Sequence, residues 1–138
     1  MKPPDEVIRR LARDWLEKAT TDLLVCEQLL GHGAVFHEAV AFHAQQAAEK
    51  SLKALLVMRQ VEFPKTRDIE RLLELVAVGD GPLAEALADV AELTPYGVEY
   101  RYPGEYEPVP AEAAITCVSL ARRVHDEIAR RLPEDIRE

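Results

Sequence analysis

Apolar positions recur every three or four residues over most of this chain. Val7/Ile8, Leu11/Ala12, Trp15, Ala19, Leu23, Cys26 and Leu30 form the first series, and that period predicts a helix with one buried stripe. Asp5, after Pro3 and Pro4, is its expected N-cap, and Gly31-His32-Gly33 its expected stop. Ala34 to Gln60 contains no Gly or Pro and is rich in Ala, Leu, Glu, Lys and Gln, the residues of a second helix. There Ala41, Ala44, Ala48, Leu52 and Leu55 share one side, with Leu56 at its edge, and form the expected core face. The short link between the two helices predicts an antiparallel hairpin.

Pro64 imposes extended geometry on Phe63 and begins a connector. Thr66 or Asp68 is the expected cap of a third helix reaching about Val78, with Ile69, Leu72, Leu73 and Val76 as its stripe. Gly79-Asp80-Gly81-Pro82 is a turn, and a fourth helix is expected from Leu83 to about Leu93. Thr94-Pro95-Tyr96-Gly97 interrupts it. The stretch from Tyr96 to Pro110 then holds Tyr96, Tyr100, Tyr102 and Tyr106 with Pro103, Pro108 and Pro110, a loop of a length often tied to function. The last helix starts near Ala111, carries Val118, His125 and Leu132, and ends at Pro133. The expected fold is all-α: an up-and-down bundle of four to five helices with a Tyr/Pro-rich loop before the last, in one domain over residues 1–138.

Composition narrows the function. Only three Phe and one Trp occur among 138 residues, with few β-branched runs, which agrees with helices. A net charge of −8 argues against strong binding to duplex nucleic acid. The charge is uneven, however: residues 43–71 carry six Lys/Arg against four acids, so a local anion site is compatible with the whole. Cys26 and Cys117 sit within apolar helical patterns and are expected to be buried thiols. No cluster has zinc-ligand spacing, so neither a metal nor another cofactor is expected. No apolar run approaches a membrane span, and a cytoplasmic location is expected.

Two groups of residues carry candidate chemistry. His43, Gln46, Lys50 and Lys53 are spaced three, four and three apart, so they stack along one stripe of the second helix, flanked by small Ala47 and Ala54. Pattern alone makes this stripe a solvated polar face; the functional alternative is a binding surface. In the loop, Arg101 stands between Tyr100 and Tyr102, where a guanidinium can clamp a phosphate and a ring can stack on a base. His37 and His43, six apart, do not share a helix face; His32 reads as an exposed turn residue and His125 as a surface or capping residue. No phosphate-binding Gly-rich loop and no nucleophile elbow is present, and no catalytic residue is assigned.

The stretch Phe42-His43-Ala44-Gln45-Gln46-Ala47-Ala48-Glu49-Lys50-Ser51-Leu52-Lys53-Ala54-Leu55-Leu56 resembles the signature helix of the HEPN domain family. Ala19-Thr20-Thr21-Asp22-Leu23, the Pro64-Lys65-Thr66-Arg67-Asp68-Ile69 connector and Arg101-Tyr102-Pro103 follow the family's order. The resemblance implies a helical bundle, usually a homodimer, of the branch associated with minimal nucleotidyltransferases in two-component, toxin–antitoxin-like systems. It implies nucleotide binding, here through His43, Gln46, Lys50, Lys53, Arg101 and Tyr102. The family's ribonucleases use an R-x(4–6)-H motif. After Arg101, positions 106 to 108 are Tyr, Glu and Pro; before His125, positions 118 to 120 are Val, Ser and Leu. The motif is absent, so the expectation is a non-catalytic binding partner. The alternatives are a ribonuclease toxin with a degenerate site and a purely structural interaction module.

Overall fold

The computed structural model describes residues 4–97 and 107–137. Helix α1 (Asp5–Leu30) and helix α2 (His37–Met58) form the hairpin, joined through a 3₁₀ turn at Ala34–Phe36. Next come α3 (Ile69–Gly79), the short α4 (Gly81–Ala86) and a 3₁₀ segment, Ala88–Gly97. Helix α5 (Ala111–Arg131) and the one-turn α6 (Glu134–Arg137) close the order. Among the described residues there is no strand, and no helix is long and apolar enough to cross a membrane.

Helix α2 is the centre of the bundle. It packs against α1, α5, α3 and the 3₁₀ segment, and 14 of its 22 residues are buried, so it has no broad solvent face. The alanines bring neighbours close: Ala41, Ala44, Ala47, Ala48 and Ala54 are all fully buried. Leu23 and Cys26 of α1, Leu52 and Leu55 of α2, and Ala121, Val124 and Ile128 of α5 fill the spaces between them. Helices α1 and α5 are pinned by Arg122 to Glu27 and His125 to Thr20, and α1 is tied to α6 by Arg9 to Asp135.

The ends of the elements follow local chemistry. Gly33, at φ 110°, takes a left-handed backbone closed to most side chains. At the end of α2 the amides of Gln60 and Val61 donate to the carbonyls of Val57 and Leu56, with Gln60 at φ 57°; this doubly bonded cap satisfies the last turn. Asp68 caps α3 by accepting from the Glu70 amide, and Asp80 caps α4 by accepting from the Leu83 amide.

Three boundaries differ from expectation. Pro4, rather than Asp5, takes the N-cap position of α1, and Asp5 becomes the first helical residue; its charge still complements the helix dipole. The second helix starts as 3₁₀ turn and becomes α-helical only at His37. The fourth helix does not run to Leu93 as one element. It stops at Ala86 and tightens into 3₁₀ geometry that passes through Pro95 to Gly97. Thr94 Oγ1 accepts from the Ile69 amide and ties this segment to the start of α3.

Candidate functional site

The stripe His43, Gln46, Lys50 and Lys53 is not a solvated face. The structure divides it into two groups, each built on an acid. The first centres on Asp22 of α1, which lies between the buried Ala19, Leu23 and Cys26 on the side of α1 that meets α2. His43 Nδ1 lies 2.8 Å from one oxygen of the Asp22 carboxylate, and Lys50 Nζ donates to the other at 2.7 Å. A carboxylate only accepts, so a proton sits on Nδ1 and the Nε2 edge of the ring is turned away from Asp22. Burial alone would push the Asp22 carboxyl up, but the hydrogen bonds and charges of His43 and Lys50 outweigh it and hold the group below its usual range.

The second group centres on Glu49. Lys53 donates to one of its oxygens at 2.8 Å, and the Gln45 amide to the other at 3.3 Å. Gln46 donates to the Gln45 carbonyl oxygen at 2.7 Å, and Gln45 also donates to the Arg67 backbone carbonyl at 2.9 Å. The Lys53 ammonium lies 5.3 Å from the Trp15 ring centroid and 5.7 Å from that of Phe63, so it is held by an acid and two aromatic faces at once. Gln45, Gln46, Glu49 and Lys53 are all buried; as buried polar groups must, they satisfy one another.

Open clefts flank both groups. Lys50 and Asp22 line one of about 600 Å³ with Asp14, Glu17, Lys18 and Thr21 of α1. Lys53 and Glu49 line a smaller one of about 200 Å³ with Lys65, Thr66 and Arg67 of the connector. The Arg67 guanidinium donates to the Gly97 carbonyl at 2.7 Å and faces the Phe42 ring at 5.8 Å. Arg101 and Tyr102 lie outside the described residues. Of the other histidines, His32 is exposed, as expected. His125 is not a surface residue: its side chain is 13% exposed, and its Nε2 shares a hydrogen bond with Thr20 Oγ1.

Sequence reasoning missed the two organising acids as such. The signal for Asp22 was its place at three and four residues from Ala19 and Cys26, on the apolar stripe of α1. Glu49, likewise, is three residues from Leu52 and four from Gln45.

Fold and site together define a class: a helical bundle whose central helix buries ion pairs on its polar side and keeps an amine at a cleft. The model of the HEPN domain matches residues 12–132, and the chain belongs to the HEPN domain family, whose members often act as nucleotidyltransferase partners or ribonucleases. It is similar to the solved structure of TT1696 from Thermus thermophilus, with 32% identity, a TM-score of 0.70, and coverage of 88% of this chain and 98% of that one. It is also similar in fold to ST0689, an archaeal HEPN homologue, with 24% identity, a TM-score of 0.68, and coverage of 87% and 96%. No curated protein matches.

Proposed function

We propose that this HEPN protein binds a nucleotide on the polar side of α2 and serves, as a cytoplasmic homodimer, as the non-catalytic partner of a separately encoded minimal nucleotidyltransferase in a two-component, toxin–antitoxin-like system. The observation that carries the binding reading is that both lysines of the stripe stand in cleft walls. The larger cleft has the volume of an ordinary small-molecule site. Lys50 and His43 are the accessible members, at 22% and 32% side-chain exposure: the ammonium faces a phosphate and the outer edge of the imidazole hydrogen-bonds to a ribose or base. Gln46 and Lys53 hold the helix surface in shape behind them. Arg101 and Tyr102 join this site on sequence grounds. The missing R-x(4–6)-H histidine supports a non-catalytic role, because hydrolysis of that kind needs a base beside the cation.

Calorimetry with nucleoside mono- and triphosphates on the wild type and Lys50→Ala tests the reading. Saturable heat, weakened in the variant, is expected; no heat, or the same heat for both proteins, removes it. One observation favours a purely structural role instead, namely that Lys53 and Glu49 already satisfy each other, and that reading gains from the same null result. Co-purification with a nucleotidyltransferase encoded beside this chain tests the partnership separately.

A further inference from the structure

We propose that the connector between α2 and α3 is a phosphoryl-anion subsite formed by Lys65, Thr66 and Arg67. Together with Glu49 and Lys53 these residues line the pocket of about 200 Å³. The single carboxylate in that wall, Glu49, is neutralised by Lys53 at 2.8 Å. Lys65 and Arg67 therefore leave the pocket with two positive charges not offset from within it. The chain as a whole carries −8, so this local excess is the reverse of the surface average.

The lining presents donors. Lys65 makes no ion pair and no side-chain hydrogen bond among the described residues. Thr66 Oγ1 accepts from the Asp68 amide at 3.0 Å, which leaves its hydroxyl proton free to donate. Arg67 spends one amino group on the Gly97 carbonyl; a guanidinium has five N–H donors, so others remain. The acid beside them, Asp68, is turned to the start of α3, where it accepts from the Glu70 amide. The Phe42 ring and the Gly97 carbonyl fix the guanidinium before any ligand arrives, and such preorganisation lowers the entropic cost of binding.

The size decides what enters. Pockets that enclose a whole drug-sized ligand span roughly 300–1,000 Å³. This one admits a phosphate or diphosphate and leaves any attached nucleoside outside. The subsite deepens the nucleotide-binding reading and rests on it only for the nucleoside.

The test titrates the full chain with inorganic pyrophosphate and, separately, with ATP, following backbone amide shifts and calorimetric heat. Shifts centred on residues 65–67, with affinity about tenfold lower in Lys65→Glu, are expected. Arg10→Glu, an equal charge change at an exposed site on α1, should stay within about twofold, since screening weakens distant charges. Equal loss in both variants, or none in Lys65→Glu, overturns the subsite. ATP binding that leaves 65–67 unshifted overturns it too but spares the nucleotide reading. Pyrophosphate binding at 65–67 without binding of any nucleoside phosphate supports the subsite and removes the nucleotide reading.

Discussion

Replacing Asp22 by Ala removes the acceptor for two partners on α2 at once. The Asp22, Lys50 and His43 side chains are 12%, 22% and 32% exposed. Breaking a fully buried pair costs about 3–5 kcal/mol, and losing an exposed one about 0.2–1 kcal/mol. The Asp22 cluster lies between, and its partial exposure discounts it to about 2 kcal/mol. For a chain of this size that is a fall in Tm of roughly 5–10 °C. Asp22→Asn should cost about half as much: its carbonyl still accepts from Lys50, and its amide can donate to His43 once the ring proton moves to Nε2. Urea denaturation at fixed protein concentration reads both. The pH dependence adds a signed check. The Asp22 carboxyl titrates below its ordinary value of 3.8, so its stabilisation is fully present above about pH 4 and is lost as pH falls through the lower folded value. The wild-type and Ala curves should therefore converge in acid. An Ala variant within about 0.5 kcal/mol of wild type at pH 7, below the range expected for a partly buried pair, refutes the reasoning.

Lys53→Met leaves the Glu49 carboxylate, 7% exposed, without its cation; a loss of about 3 kcal/mol is expected, and adding Glu49→Gln should restore most of it in the same urea assay. A β-carbon at Gly97 would meet the Gln45 side chain at 2.9 Å. Gln45 is fully buried and cannot swing away, so Gly97→Ala should cost about 1–3 kcal/mol in thermal melts. Burial pushes the Cys26 thiol up to about 12 and the Cys117 thiol up to about 11. Both should resist maleimide in the native protein at pH 8 and react fully in denaturant, as read by intact mass.

The long helices were legible because their apolar spacing persists over many turns: α1 runs from Asp5 to Leu30, and α3 and α5 start within one to three residues of their expected caps and first positions. The region after Leu83 was not. Nothing in Leu83 to Gly97 breaks a helix before Pro95, and the 3₁₀ tightening depends on tertiary anchors such as Thr94 against the Ile69 amide. The site was half legible. Periodicity placed His43, Gln46, Lys50 and Lys53 on one stripe, but a projection of one helix cannot show what faces it. Asp22 lies 21 and 28 residues before His43 and Lys50, and their meeting is a property of the packed hairpin. Arg67, whose guanidinium reaches across to the 3₁₀ segment, is likewise defined by a partner 30 residues away.

The alanine coat of α2 has a cost that the buried amides offset. Ala44 and Ala48 are one turn apart and both fully buried, so sliding the helix by one turn would replace one methyl with another at nearly the same depth. Apolar packing distinguishes poorly between such positions. The directional bonds of Gln45 to the Arg67 carbonyl and of Asp22 to His43 and Lys50 exist in only one of them. A one-turn slip would leave the largely buried Asp22 carboxylate without its partners. The polar groups thus act as a longitudinal key, fixing how far α2 is pushed into its bundle, and variants that keep every alanine but lose the key should populate more than one register.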